Sequence, residues 1–148
     1  MKKTIFLTTV LLFIDQLSKI IIRKCLGLLE SVIIIPSFLS ITYVENNGAA
    51  FSILEGKKWL LIIVTILVLL GVFYYLKNKK IDHIDTILYS LILSGILGNL
   101  IDRMMQGTVT DFIAFTILKT NMPIFNLADT FICIGCISLF IKEEICKK

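Results

Sequence analysis

The segment Thr4-Ile-Phe-Leu-Thr-Thr-Val-Leu-Leu-Phe-Ile-Asp-Gln-Leu-Ser-Lys-Ile-Ile-Ile-Arg23 is dominated by apolar side chains, yet it carries Asp15 and Lys19 in its second half. Its length matches the roughly 20 residues a helix needs to cross bilayer hydrocarbon at about 1.5 Å of rise per residue. Lys2 and Lys3 followed by Ile5 to Ile14 have the charged start and apolar run of a secretory signal peptide. No small-residue cleavage site follows, because Asp15-Gln-Leu-Ser-Lys19 continues the segment, so a retained first helix is expected.

Three further runs of the same kind follow, at 59–76, 84–101 and 124–141, with the first at 4–23. The chain has 148 residues, 57% of them hydrophobic, against about 45–50% in soluble domains. Its mean hydropathy is +0.91. In lipid the backbone must satisfy its own hydrogen bonds, which dictates helices. The expected class is therefore an all-α membrane protein, one domain over 1–148 with four transmembrane helices. The net charge of +4 does not point to nucleic acid, because the cations flank the apolar runs. Lys2, Lys3, Lys77, Lys79, Lys80, Lys142, Lys147 and Lys148 fall on one side if both termini are cytoplasmic. Arg23, Lys24, Lys57, Lys58, Arg103 and Lys119 fall on the other, a modest bias. Cys25, Cys133, Cys136 and Cys146 form no disulfide framework, and Cys133-Ile-Gly-Cys136 lies inside an apolar run, where small helix residues are the expected role.

Span two carries no charge or amide, and its Trp59 and Tyr74-Tyr75 ends suit the two interfaces, so scaffolding is its expected role. Ser94, Gly95 and Gly98 permit close helix approach in span three. Two connections exceed what a small bundle needs, and long loops in small proteins are usually functional. In the first, Val32-Ile-Ile-Ile-Pro-Ser-Phe-Leu-Ser-Ile-Thr-Tyr-Val44 predicts one or two short strands ending at the turn Asn46-Asn47-Gly48. The second runs from Asp102 to Pro123 and contains Gly107 and Asp111.

An ionisable residue at the centre of a span costs roughly 2.5–3.5 kcal/mol. With spans one and three running outward and four inward, Asp15, Lys19, Asn99, Asp102, Arg103, Asn126 and Asp129 all fall near the outer leaflet. Asn99 and Asp102 share a helix face, as do Asn126 and Asp129. Bland roles exist: Asp15 with Lys19 as a salt-bridge anchor, Asp102 with Arg103 as an interfacial flank, Asn126 as a helix cap. Scattered structural residues have no reason to gather at one level, however, and a site accounts for the gathering better. The single histidine, His83, lies beside Lys79 and Lys80 on the expected cytoplasmic side, which removes serine–histidine, cysteine–histidine and His-Glu-x-x-His zinc chemistry. Carboxylates remain. Two that share one proton can hydrolyse an amide without metal or covalent intermediate. Near a helix N-terminus Asp129 suits the base and Asp111 the acid, although a coupled pair leaves that assignment open. A small proton or cation transporter and a non-catalytic assembly subunit are the alternatives from other classes.

Five blocks now stand in order along nearly the whole chain: Asp15-Gln-Leu-Ser-Lys19, Asn46-Asn-Gly-Ala-Ala-Phe-Ser52, Gly98-Asn-Leu-Ile-Asp-Arg103, Val109-Thr-Asp-Phe112 and Phe125-Asn-Leu-Ala-Asp129. Together they resemble the bacterial lipoprotein signal peptidase (signal peptidase II) family. The resemblance implies four transmembrane helices, a small extracytoplasmic β-cradle from the first long loop and a short periplasmic-side helix in the second. It implies an aspartic endopeptidase that cleaves diacylglyceryl-modified prolipoproteins before the lipidated cysteine, with Asp111 and Asp129 catalytic. Asp15, Lys19, Asn46, Gly48, Asn99, Asp102, Arg103, Asn126 and Ala128 are the implied substrate-binding or supporting residues. No cofactor, metal or nucleic acid is expected; membrane lipid and prolipoproteins are the expected partners of a monomer in the bacterial cytoplasmic membrane. The chain is short for the family, and Met122 precedes Pro123 where an aromatic residue is common, which touches loop packing rather than chemistry. Insensitivity to serine, thiol and chelating reagents is a further expectation. Segment 32–44 is expected to cover the site.

Overall fold

A computed structural model describes residues 2–49, 53–117 and 120–146. Ala50, Phe51 and Ser52 of the second block, and the cations Lys119, Lys147 and Lys148, lie outside the described residues. In chain order the elements are α1 (Lys2–Cys25), β1 (Ser31–Ile35), β2 (Leu39–Asn46), α2 (Lys58–Asn78), α3 (His83–Met105), β3 (Val109–Ile117), β4 (Thr120–Asn121) and α4 (Leu127–Cys146).

The helix directions follow from their contacts. Ser90 near the start of α3 donates to the carbonyl of Thr4 near the start of α1, and further along Lys19 meets Asn99, so α1 and α3 run parallel. Leu76 at the end of α2 packs with Tyr89 and Ile92 of α3, and Lys142 near the end of α4 pairs with Asp82 at the N-cap of α3. Both α2 and α4 therefore run against α3. The two long connections consequently leave from the same end of the bundle.

α1, α2 and α3 are long and apolar enough to cross a membrane. α4 has 20 residues but carries Asp129 in its first turn and Lys142-Glu143-Glu144 near its end. It also begins at Leu127, not at 124, because Phe125 is held in a β-bridge to Ile113. The tightest helix pair is α3 with α4, where glycine lets backbones touch. A Cβ on Gly95 would collide with the carbonyl of Ala128, and one on Gly135 would lie 2.6 Å from Ile92 Cγ1.

The strands form one antiparallel sheet in the order β1-β2-β3-β4. The first loop supplies β1 and β2, as its β-branched composition predicts. The second loop corrects the expectation of a short periplasmic-side helix: among its described residues there is strand instead. Val109-Thr-Asp-Phe-Ile-Ala-Phe-Thr-Ile117 is β-branched and aromatic throughout, and β2 offers it a free edge. Gly107, at φ +89°, makes the turn from α3 into β3. The register places Asn46 opposite Val109 and Val44 opposite Asp111. β1 bears an exposed row, Val32 to Ile35, at the far edge of the sheet. Of the segment expected to cover the site, only its end at Val44 reaches the cavity described next.

Candidate active site

Two loop-borne devices bring Asp111 and Asp129 together. β3 presents Asp111, which is 3% exposed. Beyond β4 the chain returns, and Phe125 clamps onto β3: its carbonyl accepts from the Phe112 and Ile113 N–H groups at 2.8 and 2.7 Å, and its own N–H donates to Ile113 at 2.9 Å. The next residue, Asn126, is the N-cap of α4. Its Oδ1 accepts from the Asp129 N–H at 2.8 Å, and Asp129 Oδ2 accepts from the Asn126 N–H at 3.3 Å. Such a reciprocal pair satisfies donors that a helix start leaves orphaned.

Three asparagines surround the acids. Asn126 Nδ2 donates to Asp111 Oδ1 at 2.6 Å and to Asn99 Oδ1 at 3.1 Å. Asn46 Nδ2 donates to Asp111 Oδ2 at 2.8 Å, a diagonal cross-strand contact, while its Oδ1 accepts from the Gly48 N–H. Asn99 Nδ2 donates to Asp129 Oδ1 at 2.7 Å. Arg103 Nη2 donates to the Gly48 carbonyl at 2.9 Å and so ties the first loop to the end of α3.

Behind these groups lies a buried ionic layer. Lys19 Nζ sits 3.0 Å from both Asp15 Oδ2 and Asp102 Oδ2, and all three side chains are wholly buried. Asp15 Oδ1 accepts from the Ala128 N–H at 2.9 Å, so a side chain of α1 helps cap α4. Gly98 permits this approach, since a Cβ there would strike the Asp15 carboxylate. Asp102 Oδ2 also accepts from the Thr110 N–H, at the root of β3.

A cavity of about 640 Å³ opens onto the acids. Val44 to Asn47 and Glu55 line one side, Asn99 and Arg103 the back, and Asp111 and Asp129 both face it. Met122 to Phe125, Ile132 and Cys133 give it an apolar flank. Burial pushes the Asp111 carboxyl up to about 7; hydrogen bonds from Asn46 and Asn126 oppose the rise, and the nearby charge of Asp129 adds to it. A carboxyl held near neutrality beside a second carboxyl is equipped for proton transfer in both directions.

Of the residues singled out in the sequence, Asn46, Asn99, Arg103, Asp111 and Asp129 line this cavity. Asp15, Lys19, Asp102, Asn126 and Ala128 are fully buried beneath it, and Gly48 contributes backbone groups. Sequence reasoning missed Gln16, whose Nε2 bridges Asp15, Asp102 and the Gly98 carbonyl at 3.1 to 3.2 Å. Its position inside the Asp15 to Lys19 block was the available signal. It also missed Arg23, which donates to Thr110 Oγ1 at 2.8 Å, and the backbone clamp at Phe125, which no side chain announces. Among the described residues, no group of three or more His, Cys, Asp or Glu is placed to hold a metal ion.

Comparison with known proteins identifies a family for the chain. The family model described as signal peptidase (SPase) II matches residues 7–144. A lipoprotein signal peptidase of Staphylococcus carnosus (strain TM300) is 45% identical over 139 residues, covering 93% of this chain and 87% of the relative. One from Halalkalibacterium halodurans is 41% identical over 134 residues, covering 90% and 86%. A solved bacterial membrane enzyme structure, determined in meso at 2.3 Å, superposes with a TM-score of 0.86 at 37% identity over 96% of this chain and 87% of that one.

Proposed function

Because the chain belongs to the signal peptidase (SPase) II family, we propose that it removes the signal peptide from diacylglyceryl-modified prolipoproteins, cutting before the lipidated cysteine with Asp111 and Asp129 as an aspartic pair. The observation that carries the catalytic assignment is that both carboxyls face one cavity, linked through the Asn126 side chain and backbone N–H, with Asp111 raised to about 7.

The chemistry follows from who can donate. Both Asp111 oxygens already accept amide N–H groups, so a proton on this carboxyl finds no partner in those amides and is free to be offered to a substrate carbonyl oxygen. Water between the acids attacks the scissile carbonyl carbon while Asp129 takes its proton. Asp111 protonates the carbonyl oxygen, giving a neutral gem-diol. As the C–N bond breaks, Asp129 returns its proton to the leaving amine of the lipidated cysteine, and a diol proton restores Asp111.

The proposal includes a placement in the membrane. α4 crosses as the fourth helix, with both termini cytoplasmic and the acids near the outer leaflet of the bacterial cytoplasmic membrane. A lipid-anchored substrate, entering sideways, meets the apolar flank at Met122 to Phe125 and Ile132. The enzyme works as a monomer and needs no cofactor. Asn46, Asn99 and Arg103 line the path and are placed to meet the substrate backbone, whose polar groups have little water at that depth.

The deciding experiment incubates purified protein in detergent with a lipidated prolipoprotein. Cleavage directly before the modified cysteine is expected, abolished in Asp111→Asn and in Asp129→Asn while both variants remain monodisperse and helical. Full activity in either variant ends the aspartic assignment.

A further inference from the structure

The two ends of an asparagine amide have nearly the same shape, and its hydrogen-bond partners decide which way it points. Here the partners leave no choice. Asn126 Oδ1 faces the Asp129 backbone N–H, and Asn46 Oδ1 faces the Gly48 N–H; both partners can only donate. Asn99 Oδ1 faces the Lys19 ammonium at 3.1 Å, another pure donor. Each amide oxygen is therefore held by a donor, and each NH₂ is turned toward a carboxylate oxygen of the acids.

For Asn126 and Asn46 the fixing donor is backbone and lies next to the site. For Asn99 it is a side chain from another helix. A plain anchor between α1 and α3 would need only the ion pair of Lys19 with Asp102. The contact to Asn99 is the one that reaches the acids. It also makes Asn99 Oδ1 available to orient Asn126, which donates to that oxygen and to Asp111. An Asn99 amide turned the other way would place its oxygen against Asp129 and its NH₂ against the ammonium, opposing like to like at both ends.

We propose that Lys19 is a positioning residue for the acid pair: through Asn99 it fixes the amide so that an N–H, not an oxygen, meets Asp129. The inference rests on the aspartic reading above, and it assigns the ammonium a task beyond holding helices together.

A double-mutant cycle separates the two tasks. In Asp15→Asn/Lys19→Met/Asp102→Asn the buried layer is neutral and near its original shape, so no lone charge is stranded. This variant is expected to lose about a hundredfold in kcat, with KM within about twofold of the parent. Asn99→Leu is expected to lose a similar factor, and adding it to the neutral layer should cost almost nothing more, because both changes remove one linkage. Losses that multiply, or a neutral-layer variant with parental kcat, overturn the proposal. Should that variant fail to fold, Asn99→Asp decides. It keeps an acceptor toward Lys19 but presents an oxygen to Asp129, so its kcat should fall as far as that of Asn99→Leu; parental kcat overturns the proposal. Full activity of Asp129→Asn would retire the aspartic reading and this inference with it. An inactive Asp129→Asn beside a multiplicative cycle retires the role of Lys19 alone.

Discussion

Asp111 links stability to the chemistry. Its carboxyl titrates at about 7 in the fold against 3.8 when unperturbed, so between those values the folded chain holds a proton that the unfolded chain has released. Stability therefore falls as pH rises through that window, by at most about 4 kcal/mol from this group. Melting of the purified enzyme in detergent is expected to drop from pH 5 to pH 8, and Asp111→Asn should flatten that slope; an unchanged slope would show that the carboxyl is not raised. Cys133 modifies another expectation. The absence of cysteine chemistry suggested indifference to thiol reagents, but this exposed thiol lines the cavity one turn beyond Asp129. A bulky maleimide is expected to inhibit, and Cys133→Ala to remove the inhibition; full activity of fully labelled enzyme would mean substrate does not pass this flank. The sequence offered cap or site as rival roles for Asn126, and the structure shows it as a cap that also bonds Asp111, because an amide has two ends. Asp102 and Arg103 looked like one interfacial flank. Consecutive helix residues point about 100° apart, and these two serve opposite ends of the site: Lys19 below, the Gly48 carbonyl above.

At the scale of elements, the contact between α3 and α4 decides whether the acids stand on firm ground. Gly98→Ala would push a methyl into the Asp15 carboxylate, which itself caps α4 through Ala128. We expect it to lower the melting temperature and to cost at least about tenfold in kcat, since small displacements of catalytic groups are expensive. Gly71→Ala, in open space on α2, should change neither; equal effects at both sites would show that the close approach is unimportant. The apolar runs announced all four helices, with ends shifted by a few residues where caps and interfaces intervene. The strands of the second loop were not legible in the same way. Their composition suits a sheet, but a two-residue strand and an isolated bridge are specified by the neighbouring edge, not by their own pattern. The family resemblance pointed to a helix there, and tertiary pairing with β2 prevailed.

For the whole molecule, the fourth crossing is the one to test, since charge at both ends of α4 weakens its apolar signal. In a background without native cysteines, Leu28→Cys should react with a membrane-impermeant maleimide on intact cells. Lys80→Cys and Glu144→Cys should react only after permeabilisation. Labelling of position 144 from outside would mean that α4 does not cross. The gathering of polar residues from α1, α3 and α4 was readable from the sequence because helix direction and residue count convert directly into position along the bundle. The clamp at Phe125 was not, because it is made of backbone alone. That clamp has a practical consequence. One acid precedes the clamp on β3 and the other follows it on α4, so their spacing is exposed to anything that unstitches a few peptide groups. A compound wedged beneath Phe125 would disarm the pair without competing for either carboxyl.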